Sequence, residues 1–335
     1  MIQIFLWLLL AATDPSWSVL TSGVDTNLRG LSVVANPGAA KSTTIWATGS
    51  KGVILRSSDS GKKWERLHIP DGDALDFRGV QAFGKDVAYV MASGEAEKSG
   101  IFKTVDGGKT WAKQYSDARK DFFLDAIACL TATECFALGD PVNGKFLLIH
   151  TTDGMHWKEL VPASMPAALP KEGAFAASNT CLIIFGEQEL YFATGGPAAR
   201  VFHSIDLGKN WTVVETPILN GKAAQGIFSL ARRGNTVLAV GGDYQSADQA
   251  EKIASYSLDQ GISWKLAANG PRGYRSAVTA SKSVFVAVGP TGAETSKDGI
   301  IWKPAGSMNM NSVVFASGEI WGAGSKGSVV RFVQK

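Results

Sequence analysis

Apolar and polar positions alternate in short bursts along this chain of 335 residues. Each burst is rich in Val, Ile, Ala and Phe and is cut off by Gly, Asp, Asn or Ser. That is the pattern of short strands joined by tight turns. One class of burst recurs seven times: RGLSVV (29–34), RGVQAF (78–83), LDAIACL (124–130), EGAFAAS (172–178), QGIFSLA (225–231), RSAVTAS (275–281) and NSVVFAS (311–317). A second strand follows each one and ends at Gly: TIWATG, VAYVMASG, CFALGD, LYFATGG, VLAVGG, VFVAVG and IWGAG. A third strand then leads into an Asp-bearing turn, and a Trp opens a fourth.

The Asp turn is the most regular feature. SSDSGKKW (57–64), TVDGGKTW (104–111), SIDLGKNW (204–211) and SLDQGISW (257–264) share the form [ST]-x-D-x-G-x-x-W. TTDGMHW (151–157) and SKDGIIW (296–302) are one residue shorter. The key pairs are Asp59 and Trp64, Asp106 and Trp111, Asp153 and Trp157, Asp206 and Trp211, Asp259 and Trp264, and Asp298 and Trp302. The Trp residues are spaced by 47, 46, 54, 53 and 38 residues. A period of about 40–50 residues is that of one four-stranded propeller blade.

Seven inner strands predict an all-β, seven-bladed propeller of four-stranded antiparallel blades. The last repeat, from Asn311 to Lys335, has three strands and no Asp turn. Trp17 to Thr21 reads as a fourth strand with nothing before it. It is predicted to complete the last blade, which removes the free edges of an open sheet.

Composition agrees with this reading. Thirty-seven Gly and ten Trp suit many turns and many packed aromatics, and 45% hydrophobic side chains suffice for a full core. The net charge of +3 gives no footprint for nucleic acid. The four His show no metal-ligand spacing, and no Gly-rich cofactor fingerprint or haem motif is present. No metal and no cofactor are therefore expected. The apolar run Ile4–Ala12 is too short to span a bilayer and matches the core of a secretory signal peptide. Residues 1–12 are expected to be a signal peptide and 13–335 a single propeller domain, exported to a periplasmic or extracellular space. Cys129 and Cys135 could bridge a hairpin turn or remain buried thiols, with Cys181 left free.

The Asp turns read as structural. A carboxylate can accept the turn's own N–H groups, Ser or Thr can cap it, and Gly supplies positive φ. Function is then expected on the opposite face, around the channel mouth. The residues opening the inner strands are Arg29, Arg78, Leu124, Glu172, Gln225, Arg275 and Asn311. Three arginines at equivalent positions would form a patch suited to carboxylates or phosphates, unless they pair with Asp25, Asp76, Asp125 or Glu172. Asp140, Asp243, Tyr244 and Lys98, from loops between second and third strands, are further candidates. The long loop 241–254 and the Pro-rich connection 161–173 are predicted to rim the mouth.

The Asp turns resemble the Asp-box, or BNR repeat, of sialidases and other propellers. The whole arrangement, over about 17–335, resembles the photosystem II assembly and stability factor family. The residues that carry it are LRGLSVV, FRGVQAF, the WATGSKGVILRSSDSGKKW blade and the ATGG and AVGG strand ends. The resemblance implies a non-catalytic, monomeric scaffold docking a protein or peptide partner with an anionic group. Arg29, Arg78 and Arg275 would be its arginine patch. In a phototroph the partner would be a photosystem II subunit met in the thylakoid lumen, with any membrane association made through that partner. The alternative is a sialidase-like glycosidase. It would use the same three arginines with Tyr244 or Tyr274, Glu172 and Asp140. The Arg-Ile-Pro signature of that family is missing, since Gly-Leu follows Arg29.

Overall fold

A computed structural model describes residues 16–38 and 42–333. They form seven antiparallel sheets in a ring, each opening with an inner strand that lines the central channel. The inner strands are Leu28–Ala35, Phe77–Ala82, Leu124–Cys129, Leu182–Phe185, Lys222–Arg233, Ala277–Ala280 and Met310–Ala316, here blades 1 to 7. Six sheets have four strands. Blade 5 gains a short fifth, Gly195–Gly196. The expected seven-bladed propeller is thus the observed fold. No helix among the described residues is long and apolar enough to cross a membrane.

The ring closes as the strand count predicts. Ser16–Thr21 pairs with Ser328–Val333 and becomes the outer strand of blade 7. Trp17 fixes the seam. Its Nε1 donates to Ala305 O of blade 6 at 2.8 Å, and its ring lies edge-on to Phe332 at 5.0 Å. The proposed signal segment 1–12 lies outside the described residues.

Between blades, apolar side chains from facing sheets build the core. Phe136, Leu148, Phe192, Phe202 and Trp211 pack between blades 3 and 4, and Trp46, Phe77, Val90 and Phe102 between blades 1 and 2. Every Asp turn closes on itself. Asp106 Oδ1 accepts from Thr110 N at 2.9 Å and from Thr104 Oγ1 at 2.9 Å, while Gly108 N donates to Thr104 Oγ1 at 2.8 Å. Asp59, Asp153, Asp206, Asp259 and Asp298 repeat the scheme. These bonds hold all six carboxyls below the usual range, Asp106 and Asp259 at about 2. The Trp that follows caps the turn in four blades, as where Trp211 Nε1 donates to Gly208 O at 2.9 Å.

Blade 4 departs from the expected pattern. Its inner strand is Leu182–Phe185, not the run 172–178. Residues 174–179 instead cross the channel mouth, with 174–177 lining its cavity and Ser178 Oγ donating to Ser276 O at 2.8 Å. Asn179 pins this crossing. It adopts φ 66°, and its side chain accepts from Ile127 N at 2.8 Å and donates to Ile127 O at 2.9 Å. The true strand was hidden because it is only four residues long and the crossing segment is also apolar.

Candidate functional site

The channel mouth is shaped by a repeated irregularity of the inner strands. Register shifts at Leu28/Gly30, Phe77/Gly79, Leu124/Ala126, Ile227/Ser229 and Met310/Ser312 leave one unpaired residue in each of five blades. A bulge re-aims the side chain of the extra residue. The extra residues are Arg29, Arg78, Asp125, Phe228 and Asn311, and all five line one cavity of about 510 Å³. Ser276 of blade 6 lines it too.

This register corrects two of the expected site residues. The Gly closing each second strand packs on the residue just before the bulge, as Gly49 does on Leu28 and Gly324 on Met310. In blade 6 Gly289 packs on Arg275 in that way, so Ser276 holds the position equivalent to Arg29. One step of register turns a strand's side chain to the other face. Arg275 accordingly points into the blade and is fully buried. Its Nε and Nη2 meet Glu294 at 2.5 and 2.7 Å, and its Nη1 meets Tyr274 O and Thr291 Oγ1 at 2.8 Å. In blade 5 the position belongs to Phe228. Gln225 is buried outside the cavity, with its Nε2 donating to Asp243 Oδ2 at 3.1 Å.

Two more candidates are structural. Glu172 is buried beside Arg200, whose Nε donates to it at 2.8 Å, and Thr194 Oγ1 donates to it at 2.5 Å. Asp243 holds the start of its own loop by accepting from Gln245 N at 2.9 Å. Lys98 is exposed and outside the cavity. The structure therefore brings together Arg29, Arg78, Asp140 and Tyr244 of the expected set. It separates Arg275, Glu172, Gln225 and Asp243 from them.

The electrostatics differ sharply between the two arginines. Arg78 Nε donates to Asp76 Oδ2 at 2.7 Å, and Nη1 reaches Ala176 O at 3.3 Å. Arg29 has no ion pair and no side-chain hydrogen bond among the described residues. Burial lowers its pKa, and the neighbouring Arg78 adds to the effect. The guanidinium is partly buried without an ion pair of its own, and Asp76, already bonded to Arg78, only partly opposes the shift.

The carboxyls on the other wall are equally unusual. Asp125 is 1% exposed, and neither carboxyl oxygen has a hydrogen-bond partner among the described residues. Burial, then the nearby Asp140, push its pKa well above the usual range. Arg78 acts in the opposite direction. Burial also raises Asp140 to about 6, against the N–H of Ala174, which donates to its Oδ1 at 3.0 Å.

Aromatic side chains form the remaining wall. Phe175 of the crossing segment stacks on Phe228 at 3.8 Å, and Tyr274 lies edge-on to Phe228 at 4.7 Å. Tyr244 packs on Phe228 at 6.1 Å and is half exposed at the rim. Asp140, Ala174 and Phe175 also border a second cavity of about 740 Å³ along 168–175. The mouth thus opens sideways into a groove. Among the described residues no cluster of His, Cys, Asp or Glu could hold a metal ion.

Asp125, Phe175, Phe228 and Ser276 were missed as site residues by the sequence reading. A usable signal existed. Counting outward from each hairpin turn, rather than inward from each strand start, allows for the bulge and selects Phe228 and Ser276. For Phe175 no such count applies, because it sits outside any strand.

Comparisons with known proteins follow the same architecture. The family model for the DUF6242 beta propeller domain matches residues 16–322. The vacuolar protein sorting/targeting protein 10 of Colletotrichum graminicola is 35% identical over 83 residues, 24% of this chain. Xyloglucanase Xgh74A of Acetivibrio thermocellus is 24% identical over 163 residues, 41% of this chain. The matches span only 5% and 19% of those two proteins. Among solved structures, YCF48 bound to D1 peptide superposes with a TM-score of 0.66 at 14% identity, covering 96% of this chain and 100% of that one. YCF48 from Cyanidioschyzon merolae gives 0.64 at 14% identity, covering 95% and 98%. BamB from Moraxella catarrhalis gives 0.53 at 9% identity, covering 96% and 98%.

Proposed function

The chain belongs to the DUF6242 beta-propeller family, and on that premise we propose that it is an exported, monomeric binding scaffold. Its channel mouth docks a protein or peptide partner through an anionic group and catalyses nothing. The observation that carries this reading is Arg29, a guanidinium with no ion pair among the described residues, in a cavity of about 510 Å³. A carboxylate entering the mouth supplies the ion-pair partner that Arg29 lacks, with Arg78 beside it. The aromatic wall receives the apolar part of the same segment, and the groove along 168–175 takes the chain that follows. YCF48, whose fold this chain shares, has been solved with a D1 peptide bound, which supports peptide capture as a use of this architecture. If the source is phototrophic, a photosystem II subunit is the natural partner.

Export is supported by the apolar run Ile4–Ala12 and by the disulfide between Cys129 and Cys135, since such bonds persist in oxidising compartments. The absence of a catalytic step is supported by the placement of the glycosidase inventory. Arg275 and Glu172 each have a buried partner away from the cavity, so three arginines do not meet around one carboxylate.

The test is binding of peptides with a free terminal carboxylate against the same peptides amidated, together with partner recovery from envelope fractions. Arg29→Ala is expected to lower both about tenfold or more, the scale of a lost charge-assisted contact. Unchanged binding by Arg29→Ala would sink the docking reading. Turnover of a fluorogenic sialoside that is lost in Tyr274→Phe would replace it with catalysis.

A further inference from the structure

Charges of both signs line the channel mouth, and they do not pair with each other. Arg29 of blade 1, and Asp125 and Asp140 of blade 3, all border the cavity of about 510 Å³. None of the three has an ion-pair partner among the described residues. Arg78, on the blade between them, is held by Asp76 Oδ2 and Ala176 O instead. The cavity therefore offers a place for an anion on one blade and a place for a cation or donor on another.

Each place is made of more than one group. Tyr274 is 7% exposed, and its hydroxyl has no hydrogen-bond partner among the described residues. It lies near enough to Arg29 for the two to interact. Across the cavity's other side, Asp140 gives Oδ1 to Ala174 N and keeps Oδ2 without a donor among the described residues. Asp125 lies near enough to Asp140 to repel it, and neither of its oxygens is in hydrogen-bond geometry, although the Ala176 N–H acts on it. The apolar wall is separate, with Phe175 stacked on Phe228 at 3.8 Å. Polar groups buried without partners are costly. A cavity of this volume, with a few such groups converging on it, has the form of a small-ligand site.

We propose that the mouth binds a small zwitterion, an aromatic amino acid or a dipeptide containing one, with its carboxylate on Arg29 and Tyr274, its ammonium on Asp140 and its ring on the wall of Phe175 and Phe228. The proposal rests on the same unpaired Arg29 as the docking of an anionic partner, and it adds a requirement for a donor. A carboxylate alone answers Arg29 and leaves both carboxyls unmatched. An amine alone does the reverse. A zwitterion answers both and brings no net charge into a partly buried cavity. Bound there, it competes with the partner's carboxylate for Arg29.

Calorimetric titration of the full-length protein with L-phenylalanine tests the idea. Two capped forms serve as controls: N-acetyl-L-phenylalanine lacks the ammonium, and L-phenylalanine amide lacks the carboxylate. Glycyl-phenylalanine and phenylalanyl-glycine separate an amino acid from a dipeptide as the better fit. The best zwitterion is expected to bind about tenfold or more tightly than its own capped forms. Asp140→Asn is expected to weaken that zwitterion about tenfold and to leave its N-acetyl form unchanged, whereas Arg29→Ala weakens both. Melting curves verify that the two variants fold. No saturable binding of any zwitterion at millimolar concentration, a capped form that binds as tightly, or an Asp140→Asn variant that treats the zwitterion and its N-acetyl form alike each overturns the proposal. If the N-acetyl form binds as tightly and Arg29→Ala still weakens it, only the ammonium contact is lost and the docking of an anion stands. If Arg29→Ala changes nothing, both readings fall together.

Discussion

The two ends of this propeller use one periodicity in opposite ways. At the Asp-turn end, six blades repeat nearly the same side chains, and each turn satisfies its own polar groups. At the channel mouth, equivalent positions in six blades hold Arg29, Arg78, Asp125, Phe228, Ser276 and Asn311, all different in environment and mostly in type. Repetition marks what every blade needs in order to fold. Divergence at a repeated position marks what only the assembled ring can use, because those side chains meet only after the ring has closed.

The sharpest way to break this comparison is to exchange the fates of two arginines. Arg275→Ala takes the two closest donors from buried Glu294 and leaves it only the exposed Arg272 at 3.2 Å, and it is expected to cost about 3 kcal/mol in denaturant unfolding. Arg29→Ala should leave stability within about 0.5 kcal/mol, or raise it, because no partner is lost. If the two substitutions cost the same, the register assigned to blade 6 is wrong.

A smaller effect is expected at the repeating end. Asp106→Ala removes the acceptor for Thr110 N and Thr104 Oγ1 and should lower the urea midpoint, by less than Arg275→Ala does, without changing peptide binding. Its pH dependence has a definite sign. The folded-state pKa of about 2 lies below the ordinary value of 3.8, so the turn's contribution is complete above pH ~4 and fades as the pH falls toward 2. Urea melts of the native chain and Asp106→Ala should therefore converge in strong acid.

Asp140 runs the other way. Its folded pKa of about 6 lies above the ordinary 3.8, so its charged form penalises the fold at neutral pH, and the penalty disappears as the pH falls through 6 toward 4. Asp140→Asn should raise stability by up to about 3 kcal/mol at pH ~8 and by well under ~1 kcal/mol at pH ~4. A gain that is equal at both pH values would show that Asp140 acts through packing and not through its charge.

The fold was legible because it is written many times. Six Asp turns set the blade period, and the unpaired strand around Trp17 predicted the closure now seen in its pairing with Phe332. The site was legible only in part. Arg29, Arg78, Asp140 and Tyr244 were found because they lie near strand ends. Arg275 was misplaced because a bulge shifts the register by one, and a one-residue shift cannot be seen in a run such as RSAVTAS. Phe175 could not be found, since it reaches the mouth on a segment that replaces an expected strand. Asp125 was named only as one possible partner of the arginines, and its burial in the cavity wall without a hydrogen bond is not visible in the sequence.

The closure of blade 7 also sets an order of events in time. Trp17 and its acceptor Ala305 are 288 residues apart in sequence. Contacts of that separation form late and slowly, because the entropy of closing the loop must be met first. A chain synthesised N-terminus first cannot build its final blade until its last strand has followed. The latch is therefore also a timer: it delays completion of the ring, and with it the binding mouth, until the whole chain has arrived.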